Sequence, residues 1–303
     1  MALAYAGHAG GSLGPAVNGL WIVLGIAAVT ALAVVLYWQF IIAEGTYLGP
    51  RMVAWTYDLV ASRYDAIKRF DPKDERWFVA GPLLGALDQV ERPLILDVAT
   101  GTGRLPLALL GERFRGKIIG LDLSQGMLHQ ARRKLRPYGD QVCLIWKDAS
   151  HLPFGEDTFD AVTCLESLEF MPEPLGVLSE MLRVLAPGGV LFVTNRVGYE
   201  ARFLPGRAIP RPAFQRILDD YPLSDFQVRP WQVNYDLAIG HKAGWKLGEA
   251  RGRWDLASLV RCPACDGSLE RGVAGYSCPA CQQAYPIRDG VLQLVELEGP
   301  STG

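Results

Sequence analysis

A parallel α/β sheet covered by helices on both faces is the fold predicted for the middle of this chain, and three observations predict it. Apolar runs of four to six residues alternate with helical patterns between residues 94 and 194. The first run leads into a glycine-rich turn, Ala99-Thr-Gly-Thr-Gly103, where backbone can approach a ligand closely. An aspartate stands at the end of each of the first three runs: Asp97, Asp122 and Asp148. The remaining composition agrees. The 303 residues are 50% hydrophobic and 20% charged, with glycine and proline dispersed, as in a globular protein. A net charge of −2 gives the chain as a whole no pull towards polyanions.

In chain order, residues 1–19 read as a short extracytoplasmic tail and residues 20–43 as a transmembrane helix. No Asp, Glu, Lys or Arg occurs before Glu44. The 24 residues from Leu20 to Ala43 would form a helix of about 36 Å, enough to cross a hydrocarbon core. Trp21 at one end and Tyr37 and Trp38 at the other suit interfacial aromatic belts. A cleavable signal peptide fits less well, because there is no basic leader and the apolar run is long. A buried core helix is the competing reading. Arg51, Arg63, Lys68 and Arg69 follow the run and no Lys or Arg precedes it. The expected orientation is therefore N-terminus outside and catalytic domain cytoplasmic, on the cytoplasmic membrane.

Residues 44–242 form the expected central domain. Its first part, 44–92, reads as mostly helical with Pro72 and Pro82 as breaks. Strands are predicted at Leu94–Ala99, Lys117–Leu121, Val142–Trp146, Phe159–Cys164 and Val190–Thr194. Helices are predicted at Leu105–Phe114, Ser124–Arg136 and Glu173–Leu185. Phe226–Pro230 and Val233–Lys242 read as a hairpin at one sheet edge. Residues 243–260, with Trp245 and Trp254, read as a linker.

The turn after the first strand lacks the full spacing of dinucleotide binders, since Pro106 occupies the third glycine's place. Asp122 lies where a carboxylate can accept hydrogen bonds from both hydroxyls of a ribose. Any one such aspartate could be a cap or a turn residue, but three in register at successive strand ends are hard to obtain by chance.

Five segments carry a resemblance. Asp97-Val-Ala-Thr-Gly-Thr-Gly103, Gly120-Leu-Asp-Leu-Ser124, Asp148-Ala-Ser-His-Leu-Pro-Phe154, Asp157-Thr-Phe-Asp-Ala-Val162 and Leu185-Ala-Pro-Gly-Gly-Val190 resemble, in order, the motifs of class I S-adenosylmethionine-dependent methyltransferases. Ser62-Arg-Tyr-Asp65 resembles the Tyr-Asp pair of the ubiquinone/menaquinone C-methyltransferase-like group. The resemblance implies a Rossmann-like sheet of seven strands in the order 3-2-1-4-5-7-6. It also implies S-adenosyl-L-methionine as methyl donor. Tyr64, Asp97, Ala99, Gly101 and Gly103 would surround its amino-acid and sulfonium part, and Asp122 its ribose, with Leu123 beside it. Met127 would pack on adenine, Asp148 and Ala149 would hold the adenine edge, and Leu165 and Glu166 would face the methyl group. The stretch Cys164-Leu-Glu-Ser-Leu-Glu-Phe170 departs from many relatives in being acidic. Glu166 is the one weak candidate for a catalytic residue, and Glu166 and Glu169 read equally well as exposed.

Residues 261–303 read as a zinc ribbon. Cys262-x2-Cys265 and Cys278-x2-Cys281 are two knuckles with the spacing of a structural four-thiolate Zn2+ site, a pair of disulfides being the alternative. Cys143 and Cys164 fall in strands and read as buried apolar residues. The segment through Ala284-Tyr-Pro-Ile-Arg-Asp-Gly290 resembles the small zinc-ribbon activators of methyltransferases, which implies intramolecular contact between ribbon and catalytic domain.

The function expected from these readings is a membrane-anchored methyltransferase acting on a lipophilic small molecule: a quinone, isoprenoid or lipid. An RNA or protein methyltransferase and a non-enzymatic tethered scaffold are the alternatives. Nucleic acid is the weaker partner, because the basic stretch Arg132-Arg-Lys-Leu-Arg136 is modest. Residues 195–232 are expected to include an acceptor lid; their Phe203, Leu204, Phe214, Tyr221 and Phe226 suit an apolar pocket and suit ordinary packing equally.

Overall fold

A computed structural model describes residues 15–244 and 255–295. Expectations for residues 1–14, for Trp245 and Trp254, and for residues 296–303 lie outside the described residues.

The apolar N-terminal segment is one helix, Pro15–Tyr37, that runs on through a π-helical turn, Trp38–Ile42. Within it Gly19–Ile42 is long and apolar enough to cross a membrane, and none of its most apolar stretch is buried in the protein. The buried-core-helix reading does not hold, because a core helix is enclosed by its own protein. Among the described residues, the end of this apolar helix is the part bonded to the rest of the chain. The Trp38 indole N–H donates to the Phe203 carbonyl at 2.9 Å and stacks on Tyr47, with ring centroids 5.0 Å apart. The Tyr47 hydroxyl donates to the Pro205 carbonyl at 2.8 Å.

Between the span and the sheet lie short helices at Pro50–Val60, Tyr64–Lys68, Pro72–Glu75 and Gly81–Ala86. Pro72 follows a break, since the helix Tyr64–Lys68 ends before it, whereas Pro82 does not break the chain, which runs from the π-helical turn Arg76–Ala80 straight into Gly81–Ala86. Pro72 opens its helix at the first position, where a missing N–H costs nothing, and Asp71 caps it by accepting from the Lys73 N–H.

The strands are β1 (Leu94–Val98), β2 (Lys117–Asp122), β3 (Val142–Trp146), β4 (Phe159–Cys164), β5 (Leu185–Arg196), β6 (Leu223–Gln232), β7 (Tyr235–Lys242), β8 (Glu270–Arg271), β9 (Gly275–Ser277), β10 (Ala284–Arg288) and β11 (Val291–Gln293). They form one sheet in the order β6-β7-β5-β4-β1-β2-β3-β11-β10-β9-β8. The expected sheet of seven is thus corrected to eleven. The first seven strands keep the expected neighbours, and the four C-terminal strands extend the sheet beyond β3. The cause is β3 itself, whose outer edge would otherwise present a row of unpaired backbone groups. Parallel pairing of Val291, Leu292 and Gln293 with Leu144, Ile145 and Trp146 satisfies it.

β5 starts at Leu185, earlier than expected, and takes in the Pro187–Gly189 turn by a register shift against β4. The expected edge hairpin is β6–β7, antiparallel to each other and to β5.

All of β1 is buried. Leu94, Leu96 and Val98 join one core cluster and Ile95 the other, which is the period-two alternation of a strand covered on both faces. The first cluster also holds Val260, Leu269, Tyr276, Tyr285, Leu292 and Leu294 from the C-terminal module.

Candidate functional site

Two adjoining cavities open at the C-terminal ends of β1, β2, β3 and β4, the place where open α/β sheets take ligands. The larger encloses about 830 Å³ and the smaller about 380 Å³, and they share Tyr64, Ala99, Gly101, Leu165 and Glu166. Of the twelve residues expected to touch a ligand, eleven line one or both. Asp97 faces the smaller cavity, while Asp122, Leu123, Met127, Asp148 and Ala149 face the larger. Gly103 lines neither.

The turn after β1 explains the difference between its glycines. Ala99, Gly101 and Gly103 all have left-handed φ, of 56°, 54° and 83°. A Cβ on Gly101 would meet nothing within 4 Å, so this position opens onto the cavities. A Cβ on Gly103 would stand 2.9 Å from Leu135 Cδ1. Gly103 therefore lets the helix Arg104–Leu110 pack tightly on the helix Gln125–Leu135.

The acids are held by different partners. Asp97 is 3% exposed and accepts from the Thr163 hydroxyl at 2.7 Å. Burial pushes its carboxyl up to about 6, against the hydrogen bonds it accepts. Asp122 accepts from the backbone N–H groups of Gly101 at 2.7 Å and Ser124 at 2.8 Å, and burial likewise pushes it up to about 6. Asp148 resists burial through Lys147 Nζ at 2.7 Å and the Ser150 N–H at 3.0 Å, which together hold its carboxyl below the usual range.

Glu166 is an ion-pair residue. Its carboxylate meets Arg104 Nη1 at 2.5 Å and Lys68 Nζ at 3.0 Å. Burial opposes its charge, but Lys68 and then Arg104 outweigh burial and keep its carboxyl below the usual range. Arg104 is itself fixed by a two-pronged pair with Glu75, at 2.7 and 2.8 Å, and lies 4.3 Å over the Phe70 ring. Glu169 accepts from the Tyr235 hydroxyl at 2.6 Å and is 2% exposed. The reading of these two glutamates as exposed surface is therefore corrected. Their partners lie far along the chain and bury both.

Tyr57, Asp58 and Arg104 escaped the sequence reading, and Asp65 enters it only as half of the Tyr-Asp pair. Tyr57 lines the larger cavity. Asp58 accepts from the Ser124 hydroxyl at 2.6 Å and the Gly126 N–H at 2.7 Å. Asp65 accepts from the Thr102 hydroxyl at 2.6 Å and from Lys134 at 2.7 Å. With Arg104, these residues fasten the helices before β1 across the mouth of the site. No local pattern marks these contacts, because each joins residues at least 29 positions apart.

Of the two readings of the aromatic and apolar residues in 195–232, the structure fits ordinary packing. Phe203, Leu204, Phe214, Tyr221 and Phe226 do not line either cavity. Leu204 and Phe214 are buried as ordinary packing. The apolar wall comes instead from Pro50, Val53, Ala54 and Tyr57 on one side and Phe170, Met171, Pro172 and Val177 on the other.

A second constellation lies in the C-terminal module. The sulfurs of Cys262, Cys265, Cys278 and Cys281 all lie within 4.8 Å of one another. Cys262 and Cys281, and Cys265 and Cys278, approach to 3.5 Å, far beyond the roughly 2.05 Å of a disulfide. Four sulfurs about 2.3 Å from one ion would stand about 3.8 Å apart, so the cluster has the size of a tetrahedral thiolate site. The two knuckles repeat each other. Asp266 and Gln282, at φ 58° and 62°, donate N–H groups back to the Cys262 and Cys278 carbonyls. A Cβ on Gly267 would come within 3.3 Å of two of the sulfurs, so glycine there keeps the cluster clear.

Residues 96–193 match the model of a methyltransferase domain family. Over 201 residues the chain is 33% identical to a demethylmenaquinone methyltransferase of Symbiobacterium thermophilum, covering 56% of this chain and 78% of that protein. It is 38% identical over 146 residues to a demethylmenaquinone methyltransferase of Clavibacter sepedonicus, covering 48% of this chain and 58% of that one. For the one from Thermus thermophilus the figures are 41% over 137 residues, 44% and 61%. In these last two the chain spans less than two thirds of the relative's length. The structure of the cyclase SpnF aligns with a TM-score of 0.54 at 20% identity, over 66% of this chain and 97% of that one, and shares the fold.

Proposed function

The chain belongs to the class I S-adenosylmethionine-dependent methyltransferase family that includes the demethylmenaquinone methyltransferases, and from that premise we propose that it is anchored in a membrane and methylates a lipophilic small molecule, a quinone, isoprenoid or lipid. One observation carries the substrate class. The apolar wall of the larger cavity begins at Pro50, eight residues after the span ends at Ile42, which places it within about 28 Å of that end. The bonds of Trp38 to Phe203 and of Tyr47 to Pro205 hold the catalytic domain against the end of the span. Anchor and cavity are thus neighbours. The names of the relatives point the same way.

When bound, S-adenosylmethionine supplies a methyl group on a positively charged sulfur. In this reading the chain positions it. Asp122 accepts hydrogen bonds from the ribose hydroxyls, Asp148 and Ala149 meet the adenine edge over Met127, and Asp97 with the open backbone at Gly101 receives the amino-acid end. Tyr64, Leu165 and Glu166 border both cavities, where the methyl would face the acceptor. Alignment of nucleophile and methyl supplies most of the acceleration, and an apolar, water-poor wall favours an anionic acceptor. Glu166 is held ionised by two cations, so it serves as a fixed charge rather than as a proton acceptor.

The four cysteines would hold a structural Zn2+. The ribbon then steadies β3, whose tip carries Lys147 and Asp148 into the site. The catalytic domain lies on the cytoplasmic side, the N-terminus outside. Acceptors such as RNA are disfavoured by how the basic helix is used: Lys134 is paired with Asp65, and Arg132 lies under the ribbon turn at Gly290.

The test is transfer of a labelled methyl group by the full chain in vesicles, offered demethylated quinone, soluble RNA and soluble protein together. Label in the lipid extract is the expected outcome. Label confined to RNA or protein would overturn the substrate class.

A further inference from the structure

The helix Pro50–Val60 is apolar on two faces. Pro50, Val53, Ala54 and Tyr57 follow the spacing of a single helical stripe and line the cavity. Trp55 and Leu59, four apart on the outside, are 50% and 63% exposed, in a protein that has a core to place them in. A third side is fastened to the catalytic domain through Asp58, which accepts from Ser124 and Gly126. The outer stripe is continuous with the membrane span. The Trp55 ring meets the Phe40 ring edge-on at 6.4 Å, and Phe40 belongs to the span's last turn. Leu48, in the connection between them, is 53% exposed. Arg51 and Arg63 bracket the helix, as basic residues bracket segments that lie at an anionic membrane surface.

We propose that Pro50–Val60 lies in the membrane interface with Trp55 and Leu59 among the acyl chains, forming the wall between lipid and the acceptor cavity. The inference rests on the reading of Gly19–Ile42 as a membrane span and deepens the proposed function. A bilayer-dissolved acceptor reaches the cavity sideways, past this helix and the facing Met171–Pro172 segment, without crossing water. The bilayer that holds the span is the occupant of the outer face, because Phe40 and Trp55 share one surface. A soluble partner would have to enter lipid to reach it.

The test needs no turnover. The full chain is placed in vesicles of phosphatidylcholine and phosphatidylglycerol containing radiolabelled phospholipid, with p-benzoylphenylalanine substituted singly at Val29, Trp55, Leu59 or Glu270. Illumination should attach lipid at positions 55 and 59 as it does at 29 in the span, and none above background at exposed 270. Lipid at 29 but not at 55 and 59 would overturn the proposal, and no lipid at 29 would overturn the span with it. Should the bulky substitutions fail to fold, vesicles with brominated acyl chains give a second measurement. Their quenching of tryptophan fluorescence should be smaller in Trp55→Phe than in the unaltered chain, and equal quenching would overturn the inference. Failure of methyl transfer would leave both lipid-contact results standing, so the two readings fail separately.

Discussion

At the scale of single residues, the site works through charges whose environments differ. Asp122 is pushed up to about 6 by burial, so its ionised form, the one able to accept from two ribose hydroxyls, is lost as pH falls through that value. Affinity for S-adenosylhomocysteine should therefore weaken as pH drops from 8 to about 5, and Asp122→Asn should bind weakly and flatten that dependence; titration calorimetry across the range checks it. Glu166 has the opposite sign. Its carboxyl is held below the usual range, so the stability it lends is full above the ordinary glutamate pKa and is lost only as pH falls below it. Glu166→Gln should destabilise the fold by about 1 kcal/mol, by removing one of the two carboxylates that hold Arg104, and leave the pH profile of methyl transfer unchanged near neutrality. Thermal melts and rate–pH curves measure the two effects, and a large loss of rate together with loss of the acidic limb would restore Glu166 as a proton acceptor.

At the scale of elements, the ribbon is the part whose position the sequence could not reveal. The cysteine spacing, the glycine turn and the three strand-tip acids are local patterns and were legible. So was the order of the seven catalytic strands, through the resemblance their motifs carry. The pairing of Val291–Gln293 with β3 is a contact between distant segments, and nothing near Val142–Trp146 announces it. The same holds for the partners of Asp58, Asp65 and Arg104, which lie 29 or more positions away. Leu292 is 2% exposed and shares the core cluster with Ile145 and Phe154. Leu292→Ala should cost about 2–5 kcal/mol. Chelation of zinc should lower the melting temperature of the whole catalytic domain in one calorimetric transition rather than uncovering a separate ribbon melt, because one core spans both.

At the scale of the molecule, the apolar span, the catalytic sheet and the ribbon sit in a fixed relation: the span's end is bonded to the 203–205 segment, and the ribbon closes the far edge of the sheet. The span itself was plain from composition, whereas its attachment through Trp38 and Tyr47 was not, since aromatic residues there also suit a lipid interface. If the charge bias sets the orientation, protease added outside sealed cells should leave the catalytic domain and ribbon intact and digest them only after the membrane is opened. Digestion in intact cells would reverse the topology.

The continuous sheet has one more consequence. The strand that follows β7 in the chain is β8, nine places away in the sheet order, and the chain then works back through β9 and β10 to β11 beside β3, so both flanks of the catalytic sheet belong to one polypeptide. A helper subunit bound by mass action falls off on dilution and must be made in matching amounts. Joined in one polypeptide, the C-terminal strands and the catalytic sheet are always present in equal numbers and do not part on dilution.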